Sequence, residues 1–281
     1  MRWSELRDAF AGSNLLTLRL ALRDRDLARS FVSTLVRHYD ELMGLGLKDK
    51  NPVSYIYKRN GNNHSLEDRV VLPANLDDDS GTRLDEMLIL AAATKALRPN
   101  RVFEIGTYNG RTTSIFALNA PESATIFTLD LPPGATVEDD QYDPYINTDI
   151  DLVKARKADN FIVSLNLTDR CQQLYCDSMQ FDPTPYRGSI DLGFIDGAHA
   201  LPYVQNDTEK MASMMSENGL VFWHDYGGKG RFRPLADYLE SLGRRAPVYR
   251  VMGTTLAWAP ANSLRSILFS SKECQPTTQS C

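Results

Sequence analysis

From Thr82 onward the chain alternates helix-type and strand-type runs, and few folds accept that order. LDEMLILAAATKAL reads as a helix, RVFEI as a buried strand, RTTSIFALNA as a helix and ATIFTLD as a second strand. After the loop LPPGATVEDDQYDPY come a helix near 148 to 161, the strands RCQQLYC and IDLGFID, a helix from 201 to 217, and a fifth strand, LVFWH. Short apolar strands separated by helices build a parallel sheet covered on both faces. At the end, VYRVM and TTLAWA are separated by Gly253 alone. That gap is too short for a helical crossover, so the two runs form an antiparallel hairpin on the sheet. The expectation is an α/β fold with a mostly parallel, seven-stranded sheet.

The rest of the chain frames this unit. Residues 1 to 45 carry Leu27, Phe31, Leu35, Tyr39 and Leu42 at helical spacing, which predicts a helical segment that packs as a cap or as a homo-oligomer contact. Residues 46 to 83 are rich in Gly, Asn, Pro and Asp and read as loop, a domain boundary or a lid from which Tyr55 and His64 reach a substrate. The expected division is 1–80 for cap and loop, 81–262 for the α/β domain, and 263–281 for a disordered polar tail. In KGRFRP, Lys229, Arg231 and Arg233 read as a solvated loop that can steer an anion.

Composition removes several classes of partner. A net charge of -5 leaves no basic footprint for nucleic acid and disfavours anionic membranes. No run approaches the ~18 apolar residues of a membrane span, and the N-terminus lacks the apolar stretch of a signal peptide. The four cysteines contain no metal-type CxxC pair and read as reduced thiols, so the expected compartment is the cytoplasm.

The chemistry concentrates at strand ends. In FEIGTYNG, Gly106 and Gly110 permit a turn that a ligand can approach closely. A dinucleotide fingerprint would place a glycine where Tyr108 stands, which disfavours pyrophosphate; Glu104 adds a negative charge that suits an amine-bearing ligand. Asp130, closing the next strand, is placed to accept from both hydroxyls of a ribose, and a turn-capping role is the alternative. Later strands end in IDGAH and WHDY, which should bring Asp196, His199, His224 and Asp225 to the same edge.

These residues resemble the class I S-adenosylmethionine-dependent methyltransferases, over roughly residues 82 to 260. The resemblance implies a Rossmann-like sheet, a methionine cradle at Gly106 and Gly110 flanked by Glu104 and Tyr108, a ribose ligand at Asp130 and an adenine-side acid at Asp177, for which a loop-stabilising acid is the alternative. An acid at 196, a base three residues on, and polar groups 28 and 29 residues on are similar to the metal-dependent small-molecule O-methyltransferases of the catechol and macrolide-sugar type. That likeness implies Asp196, His224 and Asp225 as ligands of a divalent cation, His199 as general base, and a hydroxylated small molecule as acceptor. His224 departs from the family's hard oxygen ligand, which leaves open manganese in place of magnesium, or a second base with no metal. A nicotinamide-dependent oxidoreductase and a non-catalytic nucleoside-binding protein are the competing readings.

Overall fold

The computed structural model describes residues 46–61, 69–73, 81–135, 160–226 and 232–269. The chain divides into two units, of which the second comprises Leu47–Tyr226 and Pro234–Cys281. The first unit, the helix near 148 to 161, His64, Lys229 and Arg231 fall almost entirely or wholly outside the described residues.

The second unit is built around an α/β sheet. Its elements run β1 (Lys48–Asp49), α1 (Pro52–Arg59), α2 (Leu84–Leu97), β2 (Arg101–Ile105), α3 (Arg111–Asn119), β3 (Thr125–Asp130), α4 (Phe161–Ser164), β4 (Cys171–Tyr175), β5 (Ile190–Ile195), α5 (Leu201–Met214), β6 (Met215–Trp223), α6 (Arg233–Gly243), β7 (Tyr249–Arg250), β8 (Ala257–Pro260) and α7 (Ala261–Phe269). The strands lie in the order β1-β7-β8-β6-β5-β2-β3-β4. From β6 to β4 every neighbouring pair is parallel, and β8 runs antiparallel to both β6 and β7. This is the Rossmann-like sheet with its terminal hairpin.

Packing follows from the strand composition. Val102, Phe103 and Ile105 of β2, Leu192 and Phe194 of β5, and Val221 and Phe222 of β6 are all buried, as strands covered on both faces require. Helix α3 places Ile115, Phe116 and Ala117 in the core, and the Phe116 ring meets Phe194 edge-on with centroids 5.7 Å apart. Each such side chain contributes about 1.5–3 kcal/mol through burial.

Two segments depart from the expectation. The sheet has eight strands rather than seven, because Lys48–Asp49 pairs with Tyr249–Arg250 along one edge. The stretch read as loop continues into α1, where Asn51 caps the helix by accepting from Ser54 N at 3.1 Å, Pro52 occupies the first turn, and Ile56 is fully buried. Arg250 clamps the added strand through two bonds to the Asp49 carboxylate, at 2.7 and 3.1 Å. Tyr55 is therefore part of the packing beside α1: its ring lies 5.1 Å from Trp258 and, with Tyr249, faces the Lys50 ammonium. At the other end, 263–269 is helical rather than disordered, because α7 buries Leu264 in the core; the remainder of the tail lies outside the described residues.

Candidate active site

Four strand ends come level. Ile105 is in register with Leu129 on one side and Ile195 on the other, and Ile195 with Trp223. The residues that follow, Gly106, Asp130, Asp196 and His224, therefore stand side by side at the carboxyl edge, at a strand spacing of about 4.8 Å. Backbone bonds carry the register one step further: Gly106 N donates to Leu129 O, Asp196 N to Ile105 O, and His224 N to Ile195 O, at 2.8 to 3.0 Å. The chain order reverses between β2 and β5, and in open sheets ligands occupy the crevice at such a point.

Glycine is needed twice in the first turn. Gly106 has φ +98°, and a Cβ there would lie 2.0 Å from the Asp196 carbonyl oxygen; Gly110 has φ +76° and would meet Ile162 Cγ1 at 2.9 Å. Gly110 also caps α3, whose first N–H groups point back at the turn. Tyr108 takes φ +48°, a conformation held because Asp130 Oδ2 accepts from both Thr107 N (3.0 Å) and Tyr108 N (2.9 Å). Asp130 Oδ1 accepts from Leu131 N at 2.7 Å. The carboxylate predicted to bind a ribose thus organises the glycine turn, which is the capping alternative.

Glu104 lies beneath that turn, 1 % exposed. Its Oε2 accepts from the Thr128 hydroxyl at 2.6 Å and from the Thr113 hydroxyl, while Oε1 has no hydrogen-bond partner. Burial pushes its pKa up to about 8, with the charges of Asp196 and Asp130 adding to the rise and the two hydroxyls opposing it. At neutral pH the side chain is mostly protonated, so the negative charge expected from the sequence is not standing there to attract an amine.

The second half of the site is ionic. His199 Nε2 lies 2.6 Å from Asp225 Oδ2. Donor atoms of Asp196, His199 and Asp225 all fall within 4.8 Å of one another. His199 sits in the turn before α5, which begins at Leu201, so Asp196 and His199 converge through a loop and not through a helical turn. Asp225 takes φ +61°, which swings its carboxylate out of the strand direction.

His224 stands behind this group. It is 7 % exposed, its Nε2 lies 3.1 Å from Glu86 Oε2, and its Nδ1 lies 3.1 Å from Asp196 Oδ1 and 3.2 Å from Asp225 Oδ2. The Nδ1 contacts have ion-pair distance without hydrogen-bond alignment. Burial opposes charge on the ring, but the Asp196 and Asp225 carboxylates outweigh it and hold the His224 pKa well above the usual histidine value. The converging donor set contains His199 with Asp196 and Asp225, and His224 lies against it through Nδ1, with its Nε2 turned to Glu86.

Glu86 escaped sequence reasoning altogether. It is fully buried in the first turn of α2, where Oε1 accepts from Thr255 N (2.6 Å) and the Thr255 hydroxyl (2.7 Å), and Oε2 accepts from Arg83 N (2.9 Å). Burial works to raise its pKa, yet the His224 hydrogen bond and charge bring it down to about 2. The available signal was an acid three residues after Arg83, the spacing of a capping box, inside an otherwise apolar helix.

Asp177 follows β4, at the end of the strand beside β3. Its Oδ1 accepts from Met179 N at 2.9 Å and its Oδ2 from the Tyr203 hydroxyl at 3.4 Å.

A family model described as a methyltransferase domain matches residues 103–226, which run from β2 through the WHDY segment. The matched segment is similar to a methyltransferase domain, which is consistent with the class I methyltransferase resemblance read from the sequence. The methyltransferase segment thus spans the glycine turn, the level strand ends and the acidic group, and the resemblance read from the sequence holds. The oxidoreductase reading falls with it. No curated protein matches the chain significantly. Among solved structures, the chain is similar to the O-methyltransferase TomG from Streptomyces achromogenes, involved in tomaymycin synthesis and in complex with SAM, at 14% identity over 81% of this chain and 95% of that one, with a TM-score of 0.46. It is similar also to the O-methyltransferase from Bacillus cereus in complex with SAH (15% identity, 80% and 97% covered, TM-score 0.46) and to an SAH-bound methyltransferase from Podospora anserina (14% identity, 84% and 95% covered, TM-score 0.42).

Proposed function

We propose that the methyltransferase acts on oxygen, moving a methyl group from S-adenosylmethionine to a hydroxyl of a small molecule, a sugar or another natural product. One observation carries this reading: a glycine turn suited to a nucleoside ligand is level with, and one strand away from, a histidine–carboxylate pair. Held through Nε2 by Asp225, His199 is the base that would take the proton of an acceptor hydroxyl. Asp225 fixes the ring and balances the imidazolium that forms. Holding the acceptor oxygen in line with the sulfonium methyl is then a matter of orientation, which alone lowers such barriers by several kcal/mol.

A divalent cation fits the same group. Two carboxylates with donor atoms within 4.8 Å suit magnesium or manganese, and Asp196 and Asp225 would hold it; an imidazole added to them favours manganese. The ion would supply a lowered proton affinity at the acceptor oxygen. A second reading makes His199 its third ligand through Nε2, favoured by that same convergence.

The test is a calorimetric titration with S-adenosylhomocysteine in magnesium, in manganese and in chelator, followed by methylation assays on a panel of hydroxylated compounds. Binding with transfer that chelator suppresses supports the cation. Transfer indifferent to chelator removes it, and an absence of S-adenosylhomocysteine binding removes the whole assignment. His199→Ala is expected to lower transfer by about 10²–10⁴-fold while leaving S-adenosylhomocysteine affinity within about twofold.

A further inference from the structure

Helix α5 presents one buried carboxylate that the chemistry above does not use. Asp207 is fully buried, and its Oδ2 has no hydrogen-bond partner. Its Oδ1 accepts from Asn206 Nδ2 at 2.8 Å, and the same amide nitrogen donates to the Ser178 carbonyl oxygen at 3.0 Å. Lys210, one turn along, donates to Ser178 O at 2.6 Å and to Met179 O at 2.9 Å. Tyr203, one turn before, donates to Asp177 Oδ2. Three residues of one helix are thus spent on three residues of the loop after β4, and Asp207 holds the amide of one of the three.

That loop lies at the same carboxyl edge as the glycine turn, beyond the Asp130 strand end. Asp207 also touches the other side of the crevice. A Cβ on Gly197 would lie 3.6 Å from Asp207 Oδ2, so the carboxylate sits under the turn that carries Asp196. Gly197 in turn backs onto Gly106, whose own Cβ would fall 2.8 Å from Gly197 N. The buried acid is therefore a node between the loop at 177–179, the acidic turn and the glycine turn. Interiors rarely leave a carboxylate half satisfied without a structural reason.

We propose that Asp207 is a positioning residue for the nucleoside half of the donor: by orienting the Asn206 amide it fixes the 177–179 loop against which the base and ribose lie. The proposal rests on the S-adenosylmethionine reading given above. Burial pushes Asp207 up to about 6, against stabilisation by Ser178 and Asn206, which is the mark of a group held in place at some cost.

Binding of S-adenosylhomocysteine and of 5′-methylthioadenosine, which lacks the amino-acid portion, tests this on Asp207→Ala, Asn206→Ala and the double variant. Calorimetry is done at a temperature where circular dichroism shows each variant folded. Each single change is expected to weaken both ligands by about tenfold, and the double change by no more than the larger single effect, because the two residues act as one unit. Asn206 is half-buried, so its variant stands in if Asp207→Ala does not fold. Equal affinity in wild type and variants overturns the proposal, as does a loss confined to S-adenosylhomocysteine or effects that simply add. Failure of wild type to bind either ligand is a different result, and strikes the donor assignment itself.

Discussion

Two buried glutamates, Glu86 and Glu104, flank the crevice with opposite charges of state. Both are essentially without solvent exposure, yet one is pushed down to about 2 and the other up to about 8. Burial acts in the same direction on each. The difference lies in the partner: Glu86 faces the His224 imidazole at 3.1 Å, and Glu104 faces only hydroxyls and two distant acids. Depth therefore fixes the cost of a charge, and the neighbour decides whether it is carried. The acidic half of the site is an ionic lattice, whereas the half beneath the glycine turn is a neutral hydrogen-bond network.

The sharpest break of this contrast is Glu86→Ala. It strips a buried cation of one counter-charge and is expected to cost about 3–5 kcal/mol in urea unfolding at pH 7. A loss below 1 kcal/mol would show that Glu86 and His224 do not form an ion pair.

Glu104→Gln comes next and has the opposite sign. A carboxyl whose folded pKa is raised costs nothing below its ordinary 4.5, and stability falls as pH climbs from there to about 8. The glutamine variant should lose that slope and gain on the order of a few kcal/mol over wild type at pH 8. Glu86 gives the mirror image, a stabilisation present above 4.5 and lost as pH falls toward about 2. Unfolding curves from pH 3 to 9 for the two glutamine variants separate the limbs, and parallel curves would merge the two residues into one class.

Two hydroxyl deletions refine the comparison. Thr255→Val removes a bond to an ionised carboxylate and should cost about 1.5–3 kcal/mol. Thr113→Val removes one from a neutral acid and should cost about 0.5–1.5 kcal/mol. Equal losses in chemical denaturation would mean that both glutamates carry the same charge.

The sequence disclosed the fold where period and punctuation agreed. RVFEI, ATIFTLD, RCQQLYC, IDLGFID and LVFWH are the five parallel strands, and the hairpin about Gly253 is in place. The first strand and helix were hidden because KDKNPVSYIYKR buries only Ile56 and Pro52 of its helix, and polar residues dominate its composition. Its caps, Asn51 followed by Pro52, were the readable sign. At the site, strand ends told which residues would meet, since register is a property of the sheet. Side-chain direction was not legible: nothing local to WHDY says that His224 turns inward to Glu86 while Asp225, through its positive φ, turns to His199. Glu86 itself is 138 residues from its partner, and no spacing rule spans that distance.

The contact between Gly106 and Asp196 bears on anyone who would redesign this protein. With no room there for a single methyl group, the glycine turn and the turn that carries Asp196 share one wall. On the proposed reaction, changes of acceptor preference have to come from segments outside this contact, because a side chain introduced at 106 displaces the Asp196 turn along with the glycine turn.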